Sequence, residues 1–242
     1  MRQAQRKITL WIAVLALLLI AVGLPALHQP ASSHAFADAR SLVGVPRTAD
    51  TLSNLPFALF GLWGLWQLQR TPALPAVQRS MATLFFVGLL ATAAGSSWYH
   101  LAPNDARLVW DRAGMTPGFA GIMGLAVAQR VSDRAGLTLA IASLLLGWLA
   151  IAVWSYNANL MPWAVFQGGG VILILALQAL PPRPGTLRIH WSFVLAVYAL
   201  AKVAETFDTQ IFELTGLFSG HSLKHLLASL AALPVIAALG KR

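Results

Sequence analysis

Apolar runs of about 20 residues recur along this chain, and no other feature restricts its fold so strongly, because a helix of that length spans a bilayer core roughly 30 Å thick. The uncharged runs are Ile8–Leu27, Thr51–Gln69, Ser80–Asn104, Ala113–Gln129 and Ala135–Pro182. The last is long enough for two passes and divides at Ser155-Tyr-Asn-Ala-Asn159, a polar turn cluster. His190–Phe207, interrupted by Lys202 and Glu205, and His221–Gly240, interrupted by Lys224, complete the set. With 57% hydrophobic and 10% charged residues, the composition excludes an ordinary soluble domain, in which charged residues approach about a quarter. The expected fold is all-α, a polytopic membrane helix bundle. It has an N-terminal transmembrane helix over 1–27, an outer-face linker over 28–49, and a seven-helix core over 50–242. Arg2, Arg6 and Lys7 ahead of the first run, and Ala35-Phe-Ala37 after it, resemble parts of a signal peptide. The run is longer than a usual signal core and ends well before that cleavage-like site, so a retained helix is expected.

Counting helices alternately in and out puts Arg2, Arg6, Lys7, Arg70, Arg79, Arg130, Arg134, Arg183, Arg188, Lys241 and Arg242 on one side. The opposite loops hold only Arg40, Arg47, Arg107 and Arg112. That asymmetry predicts both termini in the cytoplasm. The net charge of +9 is spread singly between apolar runs, which argues against nucleic-acid binding. Of the acidic residues, only Asp133 falls on the cytoplasmic side; Asp38, Asp50, Asp105, Asp111, Glu205, Asp208 and Glu213 gather toward the outer face.

The chemistry-bearing residues gather there as well. Ser96 and His100, four apart, share one face at the end of the third helix; Asp111 opens the next helix after a short turn; His221 and His225, again four apart, open the last. Topology therefore brings Ser96, His100, Asp111, His221 and His225 to one membrane layer. With no cysteine in the chain, a transition metal must be held by His, Asp or Glu. Three imidazoles suit zinc and leave a fourth position for water, whose pKa the metal can lower to about 7. Asp111 would act as general base and acid, and Ser96 would orient the water or steady the oxyanion.

Plainer readings stand beside these. His28, His34 and His190 read as interfacial histidines. Lys202 reads as paired with Glu205, with Asp208 at the outer interface; the alternative is a carboxylate orienting a metal-bound histidine. Asn54 could serve packing or function, Lys224 could snorkel outward, and the tryptophans fit interfacial belts. A serine protease using Ser96 or Ser97 with His221 leaves His100 and His225 unexplained. A two-histidine haem site conflicts with His221 and His225 sharing a face.

Ser96-x-x-x-His100, Asp111 after a short turn and Gly220-His221-x-x-x-His225, with Asp50-Thr-Leu-Ser-Asn-Leu55 opening the first core helix, resemble the alkaline ceramidase family, part of the CREST superfamily of seven-helix membrane hydrolases and receptors. The resemblance runs from Asp50 to the C-terminus. It implies zinc on His100, His221 and His225, with Ser96 and Asp111 beside it. It also implies hydrolysis of a ceramide-like N-acyl lipid to a long-chain base and a fatty acid. The acidic, tryptophan-containing calcium segment of eukaryotic members has no counterpart in Arg40–Arg47, which holds no acidic residue. The extra N-terminal helix is atypical of that family, and the chain is compatible with a bacterial inner-membrane homologue whose substrate need not be ceramide. A zinc-containing receptor or lipid-binding protein without turnover is the alternative, and no protein partner is implied.

Overall fold

Each apolar run is helical in the computed structural model, which describes residues 3–241; Arg2 and Arg242, counted above for sidedness, lie outside the described residues. In chain order the α-helices are α1 (Gln3–Gly23), α2 (Thr48–Leu52), α3 (Leu55–Gln69), α4 (Ala76–Leu101), α5 (Asp105–Arg130), α6 (Asp133–Asn157), α7 (Met161–Gln178), α8 (Trp191–Thr206), α9 (Asp208–Thr215), α10 (Gly220–Ser229) and α11 (Leu233–Gly240). Single 3-10 turns lie at Ala31–His34 and Leu230–Ala232. No β-strand occurs among the described residues, only isolated bridges such as His28 with Asn159.

Five helical segments are long and apolar enough to cross a membrane: α1, α4, α6, α7 and the continuous stretch Gly220–Gly240. The 15 residues of α3 and 16 of α8 fall short in length. Asp105, Arg107, Asp111 and Arg112 place charge in the first turns of α5. Outward faces are apolar, as a lipid solvent requires: Leu59, Leu62, Trp63 and Trp66 on α3 and Ile141, Leu145, Trp148 and Leu149 on α6 are exposed.

Local sequence explains the helix limits. The Asn104 side chain accepts from the Arg107 N–H at 2.9 Å to start α5, and Ser132 accepts from the Ala135 N–H at 3.1 Å to start α6. The expected turn at 155–159 is shorter than its polar residues suggest. Helix α6 continues through Asn157, and Ala158 leaves it in the left-handed region at φ 59°. Pro234, without an N–H to give, follows the 3-10 turn that separates α10 from α11. The short α9 has no buried residue and lacks the long apolar pattern that marks the other helices.

Helices α4 and α5 meet almost backbone to backbone. A methyl group built on Gly88 would lie 2.1 Å from the Gly118 nitrogen, one on Gly95 2.3 Å from the Trp110 carbonyl oxygen, and one on Gly114 2.4 Å from the Ala91 carbonyl oxygen. Small residues permit that approach where apolar burial supplies no driving force between helices. The Gly95 contact falls one residue from both Ser96 and Asp111, so the seam also registers the two polar side chains. Helix α10 packs on α8 and also touches α3, while α1 lies outside the bundle against α7, with only Leu10 buried.

Candidate metal centre

The end of α4 and the start of α10 bring His100, His221 and His225 together, all buried, with one potential ligand nitrogen from each within 4.8 Å of the others. The Nε2 atoms of His100 and His221 are 3.2 Å apart. Two ligands of a tetrahedral ion with bonds of about 2.0–2.1 Å lie roughly 3.3–3.4 Å apart, so this pair already has the required separation. Ring centroids are 4.8 Å apart for His100–His221, 5.0 Å for His100–His225 and 4.8 Å for His221–His225. The three rings could hold one metal ion.

Neighbours orient two of these residues. Ser219 Oγ accepts from the Ser222 N–H at 3.0 Å and thereby caps α10. Asp208 Oδ1 accepts the His221 backbone N–H at 2.7 Å, so this carboxylate fixes the helix start rather than the imidazole. Gly220 is needed there because a Cβ would fall 2.0 Å from the Ala204 carbonyl oxygen. The His225 ring is held through Nδ1, 2.8 Å from Ser53 Oγ. Ser53 Oγ itself donates to the Asp50 carbonyl oxygen at 3.0 Å, which leaves it to accept from His225 Nδ1–H and leaves the Nε2 lone pair free for a metal. Ser53→Ala is accordingly expected to weaken metal affinity by roughly 10–100-fold without unfolding the protein, measured by competition against a chelator of known affinity.

Ser96 is buried on α4, and Asp111, half-buried, lies across the α4–α5 seam from it. The three histidines expected from the sequence therefore meet, and Ser96 and Asp111 sit at the same ends of α4 and α5. Ser97 points elsewhere and donates to the Thr51 carbonyl oxygen at 3.1 Å. Asn54 is buried and donates from Nδ2 to the Asp50 carbonyl oxygen at 2.9 Å. Lys224 does not simply snorkel outward: its ammonium donates to Glu205 at 2.8 Å. Lys202 donates to the same carboxylate. Of the remaining histidines, His34 bridges Tyr99 Oη at 2.8 Å and Asp105 at 3.0 Å, while His28 joins the bridge to Asn159.

The linker supplies a residue that sequence spacing does not single out. The Phe36 ring lies 4.3 Å from the His221 ring and 4.9 Å from the His100 ring, centroid to centroid, and covers the triad. It is held by its flanks. His34 anchors the linker to α4 and α5, and the Ala37 N–H donates to Asp208 Oδ2 at 2.9 Å. Arg40 donates to the carbonyl oxygens of Gly216 at 3.0 Å and Leu217 at 2.8 Å. The Arg40 side chain also hydrogen-bonds Asp38 and holds that carboxyl below its ordinary value against the upward push of burial. This tie is complete above the ordinary carboxylate range and is lost as pH falls through the depressed value.

No family model matches the chain, and no curated protein or solved structure is similar to it by comparison.

Proposed function

We propose that this chain is a zinc-dependent intramembrane hydrolase that cleaves the amide bond of a ceramide-like N-acyl lipid, akin to the alkaline ceramidases. On this reading α3, α4, α5, α6, α7, α8 and the α10–α11 stretch are the seven core spans, and α1 is the additional N-terminal one. Both termini face the cytoplasm of a bacterial inner membrane, and the site lies toward the outer face. The observation that carries the reading is the convergence of three buried imidazoles, His100, His221 and His225, at the end of the bundle where α4 ends and α5 and α10 begin.

An apolar cavity of about 150 Å³ adds the second requirement of a lipid enzyme. It is lined by Phe57, Leu89, Phe119, Met123, Tyr198 and Ala228, among others. Phe57 is 6.5 Å from the His225 ring, and Ala228 follows His225 by about one turn of α10, so one part of the cavity wall lies near His225. An acyl chain in this space would present its amide to the histidines.

His100, His221 and His225 would hold the zinc, which when bound supplies an acidified water and polarises the amide carbonyl. Asp111 would take a proton from the attacking water and return it to the departing amine, which balances the hydrolysis without an outside proton carrier. Ser96, one turn before His100 on α4, would orient the water or steady the developing oxyanion. Phe36 keeps bulk water from the rings on the linker side.

Asp111→Asn preserves shape and removes the base. It should retain one metal per chain and lower lipid-amide hydrolysis by about 10²–10³-fold, read by release of free fatty acid from ceramide-like substrates. Full activity in this variant would remove Asp111 from the mechanism. Metal and lipid binding without fatty-acid release in the unaltered protein would instead favour a zinc-containing receptor. The geometry gives less support to a serine protease or a haem protein. Ser97 donates to the Thr51 carbonyl oxygen, and among the described residues neither the Ser96 nor the Ser97 hydroxyl is bonded to an imidazole. Nitrogens 3.2 Å apart leave no room for a porphyrin between His100 and His221.

A further inference from the structure

Tyr198 stands at the midpoint of α8, away from both ends of a helix read as a membrane span, although tyrosines of membrane proteins collect at the interfaces. It is half-buried, and its ring meets Phe119 edge-on with 6.2 Å between centroids. Its hydroxyl has no hydrogen-bond partner among the described residues. Glu205, seven residues further along α8, is engaged by Lys202 and Lys224 instead. Lipid tails outside the bundle offer no acceptor either. A hydroxyl without a partner in apolar surroundings is costly, so one kept at this depth calls for a ligand atom to bond.

The place of Tyr198 says which ligand. It lines the apolar cavity proposed above for the acyl chain. Thr92 carries the other hydroxyl of that wall, and its Oγ1 donates to the Gly88 carbonyl oxygen at 2.8 Å. The wall therefore holds one hydroxyl free to bond a guest. Its depth follows from the register of α8 against α10, which is fixed where Gly220 meets the Ala204 carbonyl oxygen. Tyr198 lies six residues before Ala204, about 9 Å along α8, and His225 lies five residues after Gly220, about 7.5 Å along α10. The two helices run in opposite directions, so Tyr198 and His225 start from similar depths. A helical side chain leans toward the N-terminus of its own helix, which for α8 is away from the triad's end of the bundle. The hydroxyl thus falls beyond the histidines, on the acyl side of an amide held there.

We propose that Tyr198 selects an acyl chain that carries a hydroxyl close to the amide, so that the substrate is an N-(hydroxyacyl) lipid. The assignment deepens the hydrolase reading above and rests on it, whereas preferential binding of a hydroxylated chain in the cavity stands without it.

Hydrolysis is measured on the full chain with amides of one long-chain base and acyl chains of equal length, hydroxylated at C2, at C3 or not at all. One of the hydroxylated amides should be cleaved at least about fivefold faster than the plain one in kcat/KM, an advantage that falls to parity in Tyr198→Phe. Equal rates for all three amides in the unaltered protein, or an advantage that survives Tyr198→Phe, overturns the proposal. A dependence of rate on Tyr198 that follows removal of the hydroxyl of the long-chain base, with the acyl hydroxyl indifferent, overturns the acyl assignment. Binding provides the second arm, read by displacement of a fluorescent fatty acid by 2-hydroxymyristate, 3-hydroxymyristate or myristate. A hydroxylated acid should compete better than myristate by at least about fivefold more in the unaltered protein than in Tyr198→Phe. Hydrolysis of none of the amides, with this difference intact, would remove the hydrolase and leave the cavity's selectivity supported. The same competition in both proteins would overturn that selectivity.

Discussion

On the proposed hydrolase reading, His225→Ala should leave a protein that inserts and folds but binds no stoichiometric zinc and loses lipid-amide hydrolysis by more than about a thousandfold. Removing one of three imidazoles takes away a ligand and exposes the ion to exchange, and no other donor stands ready. Among the described residues, the only group of three or more potential metal-holding side chains is His100, His221 and His225. His221→Ala should behave alike. The comparison that gives the result meaning is His190→Ala, on a half of the bundle remote from the triad, which should keep metal and rate. Elemental analysis of the purified proteins and a fatty-acid release assay read both quantities from one preparation. A His225→Ala protein with a full complement of metal would show that the ion sits elsewhere.

The second large effect is expected at Gly95. Its missing Cβ would fall 2.3 Å from the Trp110 carbonyl oxygen, a backbone atom that no rotamer change can move aside. Gly95→Leu must therefore push α4 and α5 apart, and the displacement acts on the neighbouring Ser96 and on Asp111 across the seam. The expected outcome is loss of activity together with a melting temperature lowered by several degrees, since overpacking alone costs about 1–3 kcal/mol. Gly168→Ala is the control, because nothing lies within 4 Å of the added methyl group. It should be neutral or slightly stabilising, by up to about 1 kcal/mol, through a stiffer unfolded chain and better helix propensity. If Gly95→Leu matched Gly168→Ala in both melting and rate, the close seam would have no role in building the site.

The polar layer was legible in the sequence because helical spacing is a local property. Residues four apart on a helix share a face whatever surrounds them, so Ser96 with His100 and His221 with His225 could be paired before any tertiary information. Positioning Asp111 needed only the length of the turn between α4 and α5. What spacing could not give was the lateral packing. Ser53 lies 172 residues from His225, and its contact with that ring depends on how α10 docks against the start of α3. Phe36 belongs to a linker with no periodicity at all. The seam glycines were visible as letters, but their partners across the helix pair were not. Helix α9 escaped notice because eight residues containing Asp208 and Glu213 do not form an apolar run. The spans themselves were legible to different degrees. α1, α4, α6, α7 and Gly220–Gly240 announce themselves by length and apolarity, whereas α3, α5 and α8 are helices whose shortness or charge weakens that signal.

X-ray absorption at the zinc edge of the metal-loaded protein bears most directly on the three-imidazole centre. One zinc per chain with three histidine nitrogens and one light oxygen ligand, all at about 2.0–2.1 Å, is the spectrum expected. A bound zinc with fewer than three imidazoles in its scattering shell, or a protein that takes up no ion at all, would contradict it.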